Sequence, residues 1–338
     1  MNMNKSRILI AAVSMFAVLS CATTPTAGLN DDAYANFEAW ISQNHPTAVK
    51  TPLGAYIIEE NPGTGIPAGD SLYLRINYTC YTLEGDIEST TYAKLAKQTG
   101  SFNKVSWYGP TLAYRGEDLD NLAAGLEESV AGMKVGGHKL VAIPGWLSKS
   151  ERYSSPEKYL QKCSGTNYIY DITLVDAFGD AQKWETDSLA RYIAAEYPAA
   201  VSDTAGFWFL SEFTPAEAAG IEEDAKVKIN YTGRRLDGRV FDTTIADTAK
   251  VWGIYSSSKT YEPQTINWYG VDEDYTKITM GTDASSLVTG FSYGLSKMHK
   301  GEKARFFFYS GYGYGTSGSG NAIPAYSPLC FELEILED

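Results

Sequence analysis

The spacing of apolar and polar positions divides the chain into two halves of the same plan. From Asp32 to Gln43, Phe37, Trp40 and Ile41 fall at helical spacing, and Pro46 stops the run. Ser71-Leu72-Tyr73-Leu74-Arg75-Ile76 then alternates as a half-buried strand does. A short helix is predicted around Glu128 to Met133, and the alternation of Tyr168 to Val175 predicts a closing strand. The same order returns further on. A helix is predicted over Trp184 to Glu196 ahead of Pro198, a strand over Ala225-Lys226-Val227-Lys228-Ile229, a short helix around Tyr293 to Met298, and a closing strand over Leu329 to Leu336. Strands dominate, and one short helix can cover one sheet face, so the expected class is α+β.

Residue matches follow the same plan. Ile76-Asn77-Tyr78-Thr79 recurs as Ile229-Asn230-Tyr231-Thr232, and His45-Pro46 matches Tyr197-Pro198. Trp107-Tyr108-Gly109 is paired with Trp268-Tyr269-Gly270, and Gly125, Met133 and Gly136 with Gly290, Met298 and Gly301. The order is kept and the offset only grows, which reads as a tandem duplication with units at 31–178 and 179–338 rather than a short-period solenoid.

The start of the chain sets an expected compartment. Lys5 and Arg7 precede an apolar run from Ile8 to Leu19, then Ser20 and Cys21, the layout of a signal peptide over residues 1–20. Val18-Leu19-Ser20-Cys21 looks like a bacterial lipobox, with Cys21 as the lipidated first mature residue; ordinary cleavage that discards Cys21 is the competing reading. Residues 21–30 read as a tether, so the protein is expected at the cell envelope, held to the membrane by its lipid anchor alone. Lys+Arg 28 against Asp+Glu 41 leaves a net charge of −13, which repels a phosphate backbone and argues against nucleic acid. Cys80, Cys163 and Cys330 show no CxxC spacing and suit neither a metal cage nor a disulfide scaffold. A Cys80–Cys163 bridge and buried thiols both stay open.

The second half carries a denser pattern. Val227-Lys228-Ile229-Asn230-Tyr231-Thr232-Gly233, Leu236-Asp237-Gly238 and Phe241-Asp242-Thr243-Thr244 come first. Met280-Gly281, Leu287-Val288-Thr289-Gly290-Phe291, Gly294-Leu295, Met298 and Gly301-Glu302-Lys303 follow. Tyr312-Gly313-Tyr314-Gly315, Ile323-Pro324 and the run from Leu329 to Leu336 close the series. In this order, over roughly Asp224 to Asp338, the segment resembles the FKBP-type peptidyl-prolyl cis-trans isomerase family.

The resemblance implies two tandem FKBP-like domains, each a curled antiparallel sheet wrapped on a short helix and preceded by an N-terminal helix, the first degenerate. It implies a pocket with Tyr231, Asp242 and Tyr314 as catalytic groups and Phe241, Leu287, Val288, Phe291, Ile323 and Phe331 around the substrate. On the family pattern Tyr314 and the Ile323 N–H hold the carbonyls flanking a proline, Asp242 is held by Tyr231, and Phe291 stands where the family usually has Trp. The implied partners are proline-containing polypeptides, among them exported proteins in need of folding, with a macrolide inhibitor as a competing occupant. The chemistry asks for no cofactor and no metal. Rotation about X–Pro faces a barrier of about 20 kcal/mol from amide resonance, and a dry aromatic pocket disfavours the planar dipolar amide relative to the twisted one.

Departures set up a competing expectation. Ile245 to Lys277 forms a long insertion rich in Tyr, Ser and Trp, and its packing over Phe291 and Tyr314 would favour a non-catalytic module binding peptide or glycan through aromatic surfaces. In the first half Ile87-Glu88 is taken as the counterpart of Phe241-Asp242, Thr79-Cys80 replaces Thr-Gly, and Lys149 to Gly165 replaces the flap, so that half is expected to be inert. Gly311 to Gly320 lacks the GK[ST] of a phosphate loop and reads as a flap. Asp272-Glu273-Asp274 reads as a solvated turn, and the 3 histidines, His45, His138 and His299, sit beside no nucleophile motif.

Overall fold

The computed structural model describes residues 31–115, 122–268, 274–282 and 284–337. The leader and Cys21 lie outside the described residues, as do Tyr269, Gly270, Asp272 and Glu273. The protein is α+β with antiparallel sheets. In the first half a helix, Asp31–Asn44, precedes a sheet whose strands run in the order Val49–Lys50, Tyr56–Asn61, His138–Ile143, Tyr168–Phe178, Leu72–Tyr81, Ile87–Thr90, with Thr111–Arg115 also on Leu72–Tyr81. In the second half, after the joining helix Ala181–Glu196, the order is Val201–Thr204, Phe207–Phe213, Lys303–Phe308, Leu329–Ile335, Lys226–Arg235. Val240–Thr243 and Gln264–Asn267 both pair with Lys226–Arg235, and Thr279–Met280 and Ser285–Ser286 extend the edge.

Local chemistry explains the element ends. The joining helix starts a turn before Trp184 because Asp180 caps it, its carboxylate accepting from Lys183 N–H at 2.8 Å. The short helices predicted around Glu128 and Tyr293 span Ala124–Val130 and Thr289–Ser296. In the second, Gly290 and Gly294 face the sheet: a Cβ would come within 2.4 Å of the Phe308 ring and 2.6 Å of the Phe306 ring. That close approach seats the helix on the sheet and carries Phe291 into the core.

Three consecutive phenylalanines show that both faces of the second sheet are covered. Phe306 and Phe308 lie under the short helix, and Phe307 packs on Leu189 and Ile193 of the joining helix. All three are fully buried, each favoured by roughly 2 kcal/mol of apolar burial. In the first half Phe37 and Ile41 of the leading helix pack on Tyr56, Ala142 and Trp146. Cys80, Cys163 and Cys330 are buried thiols, so no bridge joins Cys80 to Cys163.

Strand register corrects two of the matches. Ile76 pairs with Thr111 and Ile229 with Gln264, so Trp107 precedes its strand whereas Trp268 follows its own; the two tripeptides are not equivalent. The better match is Thr90-Thr91-Tyr92-Ala93 with Thr243-Thr244-Ile245-Ala246, each entering a short helix, Ala93–Gln98 and Ala246–Trp252. The first half thus has its own version of the segment read as an insertion in the second. Likewise Cys80 pairs with Ser89 and Gly233 with Asp242, so the counterpart of Phe241-Asp242 is Glu88-Ser89, not Ile87-Glu88.

Candidate active site

A cavity of about 490 Å³ opens between the curled sheet and the short helix of the second half. Of the nine residues expected there, eight line it: Tyr231, Phe241, Asp242, Leu287, Val288, Phe291, Tyr314 and Phe331. Each is delivered by a different local feature. Tyr231 lies on the strand paired to Phe331 and opposite the short strand bearing Phe241 and Asp242. Gly233 stands between those aromatics; a Cβ there would meet the Phe241 ring at 2.6 Å and the Phe331 ring at 2.9 Å. Only the absence of a side chain lets both rings close on the pocket.

Phe291 forms the floor. It is 3% exposed and meets Tyr231 edge-on at 5.5 Å and Phe331 edge-on at 4.9 Å. Phe241 meets Phe331 edge-on at 5.6 Å. Such geometry places ring edges against ring faces, favourable for the quadrupoles and rigid enough to keep the floor flat.

The polar side of the cavity is organised around Asp242. Tyr231 Oη donates to Asp242 Oδ2 at 2.7 Å, and Asp242 Oδ1 accepts from Thr243 N–H at 2.9 Å. Burial, with the Asp242 carboxylate, pushes the Tyr231 phenol well above its ordinary pKa, and burial and Asp242 raise Tyr314 as well. Both remain neutral donors at any physiological pH. Tyr314 sits at the rim, its side of the flap open to solvent.

Ile323 departs from expectation. Its side chain is buried in the core, and its N–H donates to Ser319 carbonyl oxygen at 3.1 Å, while Ser319 N–H donates back to Ile323 oxygen at 2.7 Å. This antiparallel bridge closes the flap turn at Gly320, so the amide expected to grip a substrate carbonyl is already occupied.

Other lining residues escaped the sequence reading. Gln264, Ser285 and Ser286 come from edge strands too short to show alternation; Met280 and Gly281 belonged to the quoted motif but not to the expected pocket. Lys259, from the segment after Gly253, forms an ion pair with Asp242. Among the described residues of the Ile245 to Lys277 segment, Gln264 alone lines the cavity, so this part of the segment flanks the pocket instead of filling it. Asp274 caps a turn, its carboxylate accepting from Thr276 N–H at 3.0 Å.

Comparison with known proteins agrees with this geometry. The model of the FKBP-type peptidyl-prolyl cis-trans isomerase family matches residues 218–336. FK506-binding protein 1A of Aspergillus fumigatus is 30% identical over 110 residues, covering 32% of this chain and 74% of its own. The chain belongs to the FKBP family. Two longer relatives are similar over part of their length: the macrophage infectivity potentiator of Trypanosoma cruzi, 29% identical over 33% of this chain and 43% of that protein, and a probable FKBP-type 25 kDa peptidyl-prolyl cis-trans isomerase of Pseudomonas aeruginosa, 26% identical over 45% and 53%. The chain thus spans about half the length of these two curated relatives. The family match contains every residue of the cavity and neither the joining helix nor the first half.

Proposed function

We propose that residues 179–338 form a peptidyl-prolyl cis-trans isomerase unit acting on proline-containing polypeptides, and that residues 31–178 form an FKBP-like unit without that activity. The observation that carries this reading is the Tyr231–Asp242 hydrogen bond at the edge of an aromatic-floored cavity of about 490 Å³, ample for a proline ring and its neighbours. The ring of proline would enter against Phe291, Phe331 and Phe241, which exclude water and grip it by apolar contact. Asp242, fixed by Tyr231, would face the twisting carbonyl, and Tyr314 would donate to a neighbouring one. No bond to the chain is made or broken; the barrier falls because the planar amide loses its solvation while the twisted form loses less.

The test is cis/trans exchange of an X–Pro peptide by the whole protein, with a macrolide of the kind FKBPs are inhibited by as competitor. Exchange should be accelerated, and the acceleration reduced roughly tenfold or more in Asp242→Ala and Tyr314→Ala. A wild-type protein with no acceleration rejects the reading. The leader and lipobox support a place at the cell envelope with exported proteins as clients, and incorporation of labelled fatty acid, abolished by Cys21→Ala, tests the anchor.

One observation favours a second reading. Tyr255 stacks on Tyr261 at 5.1 Å and 12°, Tyr255 is half exposed, and the pair flanks Lys259 at the pocket edge. Such a surface suits binding of peptide or glycan without catalysis, in which case partner capture would depend on Tyr255 and Tyr261 and not on Tyr314.

A further inference from the structure

We infer that the flap carrying Tyr314 is positioned from outside the isomerase pocket, by Glu185 of the joining helix and by the first half of the chain. This rests on the isomerase reading for its catalytic consequence, although the positioning itself is measurable without activity.

Glu185 is a carboxylate with no exposed surface on the face of the joining helix that meets the flap. Its two oxygens clasp one residue: Oε1 accepts from Ser310 N–H and Oε2 from Ser310 Oγ, each at 2.6 Å. Ser310 in turn anchors the flap. Its carbonyl oxygen accepts from Gly313 N–H and from Gly315 N–H, both at 2.8 Å, the two residues that bracket Tyr314. Tyr314 oxygen then accepts from Gly318 N–H at 3.1 Å. The path from Glu185 to the neighbours of Tyr314 is two steps of two hydrogen bonds each, with Ser310 at its hub.

The first half holds the far side of the same flap. Trp107 N–H donates to Asn321 oxygen at 2.9 Å, and the Tyr73 and Tyr326 hydroxyls meet at 3.1 Å. The Trp107 ring lies against the Arg235 guanidinium at 5.1 Å, and Arg235 donates to Ala322 oxygen. Tyr326 itself is tied back to the flap, its N–H donating to Gly315 oxygen at 2.9 Å.

A structural carboxylate is an expensive way to fill a helix face. Burying it costs several kcal/mol unless its partners compensate, and an apolar residue would pack more cheaply. The leading helix of the first half has no counterpart of this acid: aligning Phe37 with Leu189 puts Ala33, an exposed residue, at the place of Glu185. The acid appears where there is a flap to hold.

The test uses the full chain, with amide hydrogen exchange at Gly313, Gly315 and Gly318 and with kcat and KM for an X–Pro peptide. Glu185→Ala should speed exchange of those amides and lower kcat/KM, each by roughly tenfold or more, the scale of a lost hydrogen-bond pair to a carboxylate. Glu185→Gln, which can accept from the N–H and donate to the Ser310 hydroxyl, should restore both. Should Glu185→Ala not fold, Ser310→Ala removes one bond from the other side and should give a smaller change of the same sign. Tyr73→Phe should speed exchange of Tyr326 N–H by a few fold. Unchanged exchange and kinetics in Glu185→Ala and Ser310→Ala, or failure of Glu185→Gln to restore them, overturns the role of Glu185; unchanged Tyr326 exchange in Tyr73→Phe removes the part given to the first half. A wild type without isomerase activity rejects the functional reading alone, and the exchange data still decide the positioning.

Discussion

The seven strands of the first sheet recur in the same order in the second, which adds two short ones, yet among the described residues only the second has the side chains of the proposed isomerase pocket. Tyr78 and Tyr231 occupy the same register position, each on the long strand paired to the closing strand. Around them the halves diverge one position at a time. Gly233 becomes Cys80, whose thiol faces Tyr170 where the second half has Phe331; Asp242 becomes Ser89; Phe241 becomes Glu88. The flap becomes the helix Pro156–Lys162, which buries Tyr159 against Trp146 and Leu147. A shared backbone therefore says little about chemistry: the pocket depends on a missing Cβ, one carboxylate and a loop, and each can change while the sheet stays intact.

That comparison can be broken by exchanging residues between halves. The largest effect should come from Gly233→Cys, which installs the first half's residue among rings already in contact. Either Phe241 or Phe331 must swing away, so peptide isomerisation should fall by more than about 100-fold and denaturant stability of the second half by about 1–3 kcal/mol. Retention of activity would mean that the rings have room the structure does not show.

Next in size is a pH effect confined to the second half. Burial pushes the Glu185 carboxyl up to about 7 from an ordinary 4.5, against the lowering pull of its Ser310 bonds. The groups facing it from neighbouring elements are the Tyr309 and Tyr326 phenols, themselves raised and neutral here, and Arg75 across the cleft. Because the folded state holds this proton more tightly than the unfolded one, the stabilisation is full below pH 4.5 and is lost as pH rises through 7. Wild type should lose about 3 kcal/mol relative to Glu185→Gln over that range, read by chemical denaturation at each pH. A constant difference would mean that the carboxyl is not desolvated.

Asp242→Ser, which copies Ser89 of the first half into the pocket, should lower kcat/KM by roughly 10-fold, since it removes the acceptor of Tyr231 Oη but leaves the aromatic floor. Smallest is Lys259→Met. Its ion pair with Asp242 is more than a third exposed on both sides, and such pairs contribute at most about 1 kcal/mol, so activity should shift less than about fivefold and lose some salt dependence. A larger change would make Lys259 part of the site.

Much of this was legible before the structure. Period-two alternation located the long strand and the closing strand of each half, and the helical spacing of Phe37, Trp40 and Ile41 located the leading helix. Eight of nine pocket residues followed from the family pattern. What escaped has physical reasons. The helix Ala246–Trp252 is one to two turns long with no side-chain cap at Ile245, so its spacing carries little signal, and only the repeated Thr-Thr-x-Ala points to it. The Ile323 N–H looked available because a hydrogen bond formed across a glycine turn leaves no trace in composition. Nothing in the sequence singles out Glu185, because an isolated acid in an amphipathic helix is usually on the solvated face.

The contact between the Tyr73 and Tyr326 hydroxyls has a consequence in terms of linkage. If the contacts across the two halves favour one arrangement of the flap, anything bound beneath that flap with a preference for the same arrangement must tighten the association of the halves by the same factor. Occupancy of the pocket and docking of the halves then become two readings of one equilibrium, and a ligand's affinity could be measured from the stiffness of a joint it never touches.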